Sequence, residues 1–128
     1  VCSSDLNHMK ITQFLAFLNQ LKVFHWQTKS YAQHVALGEA YETLDELFDK
    51  FVEVYYGKYG RPEKEMEYGY KAYSYKPEII VNTIQEYKDT ILANLAQDLS
   101  SGSNNDLLNI KDEIEGEINK LLYLLTLN

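Results

Sequence analysis

The sequence has very little cysteine: Cys2 is the single thiol among 128 residues. One cysteine cannot form an intrachain disulfide, and unpaired thiols are typical of proteins in a reducing compartment. The first residues also lack the basic and then apolar pattern of a secretion signal. These absences together predict a cytoplasmic protein.

Long apolar runs and excess positive charge are also missing. No run approaches the roughly 20 apolar residues that a membrane-spanning helix needs, so we expect a soluble chain. Lys and Arg number 12 against 19 Asp and Glu, which gives a formal charge of -7. Nucleic acids and anionic membranes attract basic patches, so neither is expected as a partner. Metal cations are the more natural ligands of this acidic chain.

The length of the chain suits one domain. At 128 residues it can bury a single core but not a second one. The opening run Val1–Leu6 resembles the translation of a sequencing-adapter end more than a protein sequence. We therefore expect residues 1–8 to be non-native, so that His8 carries no information and Met9 is the natural start. The predicted domain is residues 9–128.

Apolar side chains recur at the spacing of an α-helix in four segments. The segments run from about Met9 to Lys29, from about Tyr31 to Tyr56, from Pro77 to the polar run Ser100–Asn105, and from that run to Leu125. Gly57 and Gly60 are expected to close the second helix, and Ser103, Asn104 or Asn105 to cap the fourth. Four amphipathic helices of this length predict an all-α protein built as a four-helix bundle.

The connections between the segments indicate how the helices run. The first connection is very short, so the first two helices should be antiparallel neighbours. The second connection, residues 58–76, is 19 residues long and rich in tyrosine. This length is enough for the chain to travel back along the bundle. The second and third helices should then be parallel.

His25 and His34 are the histidines of the expected natural chain, and each lies on the apolar stripe of its helix. A lone inward histidine is more often a core residue with a hydrogen-bond partner. Two histidines that converge across one short turn leave a core pair and a metal site as open alternatives. Imidazole and carboxylate ligands together suit iron or another first-row metal.

Three acidic residues, Asp45, Asp49 and Glu53, follow one another at i, i+4 spacing on the second helix. They are either a solvated acidic face or ligands of a cation that offsets their mutual repulsion. His34 and Glu53 are separated by roughly 28 Å along the helix, so they cannot share an ion within one subunit. Two antiparallel copies of this helix would bring them together across a two-fold axis. The Glu-x-x-His motif of intrasubunit di-iron bundles is absent.

The segment from Leu21 to Glu53 resembles the ferroxidase region of the Dps-type mini-ferritins. The shared features are the pair His25-Trp26, then His34, followed by Tyr41, Leu44, Asp49 and Glu53 at 7, 10, 15 and 19 residues beyond it. The resemblance implies a ferritin-like four-helix bundle with a long connection between its second and third helices. It also implies a homo-oligomer, at least a dimer and in the family a hollow dodecamer.

What the resemblance implies for function is iron binding, oxidation and storage, with protection against oxidative stress. In that family two histidines of one subunit and an aspartate and a glutamate of its two-fold mate hold the iron that peroxide or oxygen oxidises. Both the metal ligands and the catalytic residues would be His25, His34, Asp49 and Glu53. The resemblance also suggests electron supply by Trp26, against the more ordinary interpretation of packing or subunit contact.

The chain departs from the Dps pattern in two places. The stretch from His25 to His34 is about three residues shorter than is usual in the family, and Gly38 stands where many members have an aspartate ligand. Glu39 and Glu42 are the nearby carboxylates that could compensate. An inactive ferritin-like helical interaction protein is therefore the alternative hypothesis.

Overall fold

The computed structural model describes residues 3–66 and 69–127, with side chains in the first helix from residue 11 onward. The four helices are α1 (Ser3–Gln27), α2 (Tyr31–Tyr59), α3 (Ile80–Asp98) and α4 (Asn105–Leu124). The described residues contain no β-strand, so the predicted all-α, four-helix architecture is confirmed. None of the described helices is long and apolar enough to cross a membrane.

The prediction about residues 1–8 is not decided by the fold. Cys2 lies outside the described residues, and so does the side chain of His8. The non-native character of this segment stays a prediction.

The helices form a ring in which each contacts two neighbours. Among the described residues α1 packs on α2 and α3, and α4 packs on the same two helices from the other side. At one end Tyr75, just before α3, donates its N–H to Gln27 at the end of α1. At the other end the Tyr59 hydroxyl, in the last turn of α2, donates to Asn104 at the start of α4. Helices α2 and α3 therefore begin at the same end and run parallel, as predicted.

The core consists of the apolar stripes that helical spacing predicts. Its aromatic centre is Phe14 of α1, which stacks on Phe48 of α2 at 4.3 Å between ring centroids. The fully buried aliphatic side chains of the core include Leu21, Leu37, Leu44, Ile80, Ile84, Ile91, Leu95, Leu107, Ile114, Ile118 and Leu121. Tyr41 and Tyr87 are only partly buried and pack at the edge of this core.

Some helix boundaries differ from the predicted ones. Helix α2 continues through Gly57 and stops only at Gly60, whose φ of 88° reverses the chain as a left-handed glycine can. Pro77 does not open α3. It lies in a turn closed by the hydrogen bond from Ile79 N–H to the Lys76 carbonyl, and the helix begins at Ile80.

Asn104 occupies the N-cap position of α4, but its side chain does not cap the helix. The amide nitrogen donates to the Ser101 carbonyl at 2.7 Å, and the amide oxygen accepts the Tyr59 hydroxyl at 2.5 Å. This buried side chain, 2% exposed, instead ties the α3–α4 loop to the end of α2. The Asn104 amide therefore bonds groups that are brought near by the fold, although local sequence predicts that it caps α4.

Residues 60–79 form the crossover, the connection between α2 and α3. Two glutamines of α1 hydrogen-bond to it. Gln20 is fully buried, and its amide donates to the Tyr73 carbonyl at 3.0 Å and accepts from Tyr73 N–H at 2.7 Å. Two turns later Gln27 accepts the N–H of Tyr75 at 2.6 Å. The two glutamine side chains thereby provide hydrogen-bond partners for backbone groups of the extended crossover.

Candidate functional site

The candidate site is built around the turn between α1 and α2. Only residues 28–30 separate the two helices. At the end of α1, Thr28 N–H donates a hydrogen bond to the Phe24 carbonyl. The Ser30 side chain caps α2 by accepting a hydrogen bond from Gln33 N–H. Such a tight turn places the last residues of α1 directly beside the first turns of α2. His25 and His34 therefore meet.

The two histidines hold each other through reciprocal hydrogen bonds. His25 Nδ1 lies 2.7 Å from the His34 carbonyl, and His34 Nδ1 lies 2.8 Å from the His25 carbonyl. The His25 carbonyl is in the last turn of α1, where carbonyls lack a partner within the helix. A carbonyl can only accept, so Nδ1 carries the proton in both rings. In each ring Nε2 remains to bind a proton or a metal ion.

This arrangement is the one that metal-ligating histidines usually have. Such histidines donate their other ring N–H to a carbonyl or carboxylate, which fixes the tautomer and the orientation of the ring. Here backbone carbonyls do so for both rings, and each ring is only partly buried. The sequence predicted that these histidines converge but not that each would fix the tautomer of the other.

The rings are stacked, with centroids 3.9 Å apart and planes inclined by 13°. A metal ion binds imidazole near the ring plane at about 2.1 Å from the nitrogen. Planes so nearly parallel intersect more than roughly 10 Å away from the rings, beyond the reach of any metal–nitrogen bond. As they stand, the two histidines cannot chelate one ion together. Metal ions bound at both rings would have to be two separate ions.

Gly38 lies against the His25 ring. A Cβ built on Gly38 would lie 2.9 Å from Cε1 and 3.2 Å from Nδ1 of that ring, closer than carbon atoms normally approach. The residue that appears in the sequence as a missing aspartate therefore stands where a side chain would collide with His25.

The predicted carboxylates lie further along α2. Asp49 and Glu53 are exposed, and Asp45 is partly buried. Asp49 is 15 residues and Glu53 is 19 residues beyond His34, or roughly 22 and 28 Å along the helix. One subunit thus brings the histidines together and the carboxylates together, but it does not join the two groups.

No complete metal site exists within one subunit over the described residues, where no group of three or more His, Cys, Asp or Glu side chains could hold an ion. Glu39 and Glu42, both exposed, therefore do not complete a site with the histidines of their own chain. A third His, Cys, Asp or Glu ligand for the histidine pair is therefore not supplied by the part of this subunit that the structure describes.

Two exposed aromatic residues, Trp26 and Tyr31, lie in the helix ends that carry the histidine pair. Trp26 is 68% exposed and Tyr31 is 80% exposed, with the Tyr31 ring centroid 6.2 Å from that of His34. Neither side chain packs in the core of its own subunit. Of the interpretations left open for Trp26, subunit contact and electron supply remain.

Comparisons with known proteins give one match. The model of a family of unknown function, DUF5856, matches residues 25–125, about four fifths of the chain. The match begins at His25 and includes all four predicted ligands. Neither the curated proteins nor the solved structures that were compared match the chain.

Proposed function

We propose that this chain, which belongs to the DUF5856 family of unknown function, binds ferrous iron and oxidises it at a site shared between two subunits. The observation that carries the proposal is the reciprocal bonding of His25 and His34, which leaves Nε2 of both rings available to a metal. The remaining ligands are Asp49 and Glu53 of a two-fold mate. Iron is the substrate, and sequestration in a closed homo-oligomer protects the cell against oxidative stress.

The fold supports a ferritin-like, Dps-type assembly. Helices α2 and α3 run parallel and are joined by a crossover that spans the bundle, which is the connection that ferritin-like bundles require. Two copies of α2 packed antiparallel about a two-fold axis place the histidines of each beside the carboxylates of the other, twice per dimer. Exposed Trp26 and Tyr31 would be covered by such contact.

The chemistry asks little of the protein beyond holding iron. Neutral Nε2 atoms of one subunit and ionised carboxylates of its mate bind ferrous ions at the proposed interface. Two ferrous ions each give one electron to a peroxide molecule, which takes up two protons and leaves as water. Because the stacked rings cannot share an ion, His25 and His34 each hold a separate one. Gly38 stands where the Dps pattern has a further carboxylate, so one of the two positions has fewer ligands.

An inactive helical interaction protein remains the second candidate, because Gly38 stands where many Dps proteins have a ligand and because the turn between the histidines is shorter than theirs. The two candidates differ in a simple measurement. Ferrous salt added in air to an active protein gives a ferric absorbance in the near ultraviolet that grows faster than the protein-free blank. An interaction protein leaves the blank rate unchanged.

Subunit complementation tests the intersubunit site itself. His34→Ala and Glu53→Ala subunits, each inactive alone, are unfolded together and reassembled. In a mixed dimer one site receives both defects and the other receives neither. Random mixing makes about half of the dimers mixed, so roughly a quarter of wild-type ferroxidase activity should return.

The matched control mixes His25→Ala with His34→Ala. Both defects then lie on the histidine side, every site in a mixed dimer carries one of them, and no activity should return. Mass spectrometry verifies that mixed dimers formed. Verified mixed dimers of His34→Ala and Glu53→Ala that are as inactive as the separate variants refute the shared site.

A further inference from the structure

We infer that Gly38 is a positioning residue for the metal site: it holds His25 in the stacked pair by leaving the space that the imidazole ring occupies. The inference about position rests on the structure of one subunit. Its consequence for metal affinity rests on the proposed function. The two parts are tested separately below.

The contact that Gly38 permits is with the imidazole ring of His25, which its own hydrogen bond and stacking hold in place. A Cβ at this position would meet Cε1, Nδ1 and Nε2 of His25 at 2.9, 3.2 and 3.7 Å, so it would touch a whole edge of the ring. That ring is held by its hydrogen bond to the His34 carbonyl and by stacking on the His34 ring. A side chain at 38 therefore requires the His25 ring to shift, and the shift disturbs this hydrogen bond and the stacking.

Displacing the His25 ring also affects the other histidine. His34 Nδ1 bonds the His25 carbonyl, and its ring stacks on the ring that would move. Without the bond to the His34 carbonyl, His25 is free to carry its proton on either nitrogen. When Nε2 carries the proton, this nitrogen cannot bind a metal. Loss of such an orienting partner typically lowers metal affinity by about 10- to 100-fold.

The chain provides a matched control in Gly116. Gly38 lies within α2 and Gly116 within α4, and alanine favours a helix at both positions. A Cβ on Gly116 meets nothing within 4 Å. Gly116→Ala should therefore raise the thermal midpoint and leave the histidines alone. In Gly38→Ala the collision with His25 should cancel this rise in the thermal midpoint.

The first measurement needs no metal. Nitrogen-15 shifts of the histidine rings in the metal-free protein should show Nδ1 protonated in both His25 and His34 of the wild type and of Gly116→Ala. In Gly38→Ala the His25 signals should change to those of a mixed tautomer population. A Gly38→Ala spectrum identical to the wild type overturns the positioning role.

The second measurement is anaerobic calorimetry with ferrous ion. Gly38→Ala should bind about 10- to 100-fold more weakly than the wild type, and Gly116→Ala should bind equally well. Equal affinity in all three proteins overturns the positioning role. Absence of binding to the wild type overturns the proposed function instead, and the ring spectra still decide the role of Gly38.

A third variant covers the case in which Gly38→Ala does not fold. In a His25→Ala background the ring that collides is gone, so adding Gly38→Ala should now raise the thermal midpoint as Gly116→Ala does. A double variant that is still destabilised by Gly38→Ala shows that the glycine serves something other than His25, and this result also overturns the inference.

Discussion

Replacing Gln20 by leucine should release the crossover from α1. The Gln20 amide makes both of its hydrogen bonds to the backbone of a single residue, Tyr73, across 53 positions of sequence. Leucine keeps most of the side-chain volume and removes both polar groups. The substitution therefore tests the two hydrogen bonds more than the packing.

The expected cost follows from the groups left behind. A buried backbone N–H or carbonyl without a partner costs about 1–3 kcal/mol, and Tyr73 would have one of each. The Tyr73 residue is 52% exposed, so water can replace part of what is lost, and the added leucine contributes apolar burial. We expect the free energy of unfolding to fall by about 2–3 kcal/mol.

Urea unfolding measures the loss, and amide hydrogen exchange locates it. The Tyr73 amide should exchange slowly in the wild type and much faster in Gln20→Leu. The control is Gln27→Leu on the same helix face, which removes only the bond from Tyr75 N–H at an exposed position and should cost about 1 kcal/mol or less. Unchanged stability together with a still protected Tyr73 amide would show that the reasoning about Gln20 is wrong.

The remaining predictions concern metal binding and pH. Glu53→Gln keeps the shape of the side chain but removes its charge, so this variant should fold normally. Added metal should raise its melting temperature much less than that of the wild type. An equal rise in both proteins would show that Glu53 is a surface residue. Burial, with smaller effects of Tyr73 and Tyr70, raises the pKa of Tyr87 above its ordinary value of 10.0. The folded protein then keeps this proton to higher pH than the unfolded chain, so the stabilisation is complete below about pH 10 and is lost as pH rises through the folded pKa. Tyr87→Phe should flatten the decline in unfolding free energy above about pH 10, and an equally steep decline in this variant would contradict the assignment.

The helices and their buried faces could be predicted because helical periodicity is local. Residues at i, i+3 and i+4 share a face whatever the rest of the chain does, so Phe14, Leu44 and Ile114 were assignable to the core from spacing alone. The length of the crossover likewise predicted that α2 and α3 are parallel. The convergence of His25 and His34 followed from one short turn between two long helices.

Helix ends were less predictable because caps compete with distant partners. Asn104 is a favourable N-cap residue by type, yet the Tyr59 hydroxyl and the Ser101 carbonyl take both ends of its amide. Nothing in residues 100–105 indicates a tyrosine 45 positions earlier. The same holds for Gln20, whose burial depends on an extended segment 53 positions later.

The sequence by itself determined which residue types could bind a metal and that His25 and His34 would meet. Only the tertiary structure decided their orientation, because the carbonyl that holds each Nδ1 belongs to the opposite helix. Gly38 shows the same division. In the sequence it is a departure from the Dps pattern that the segment resembles. In the fold it leaves the space that the His25 ring fills, since packing brings the ring within 2.9 Å of where a Cβ would lie.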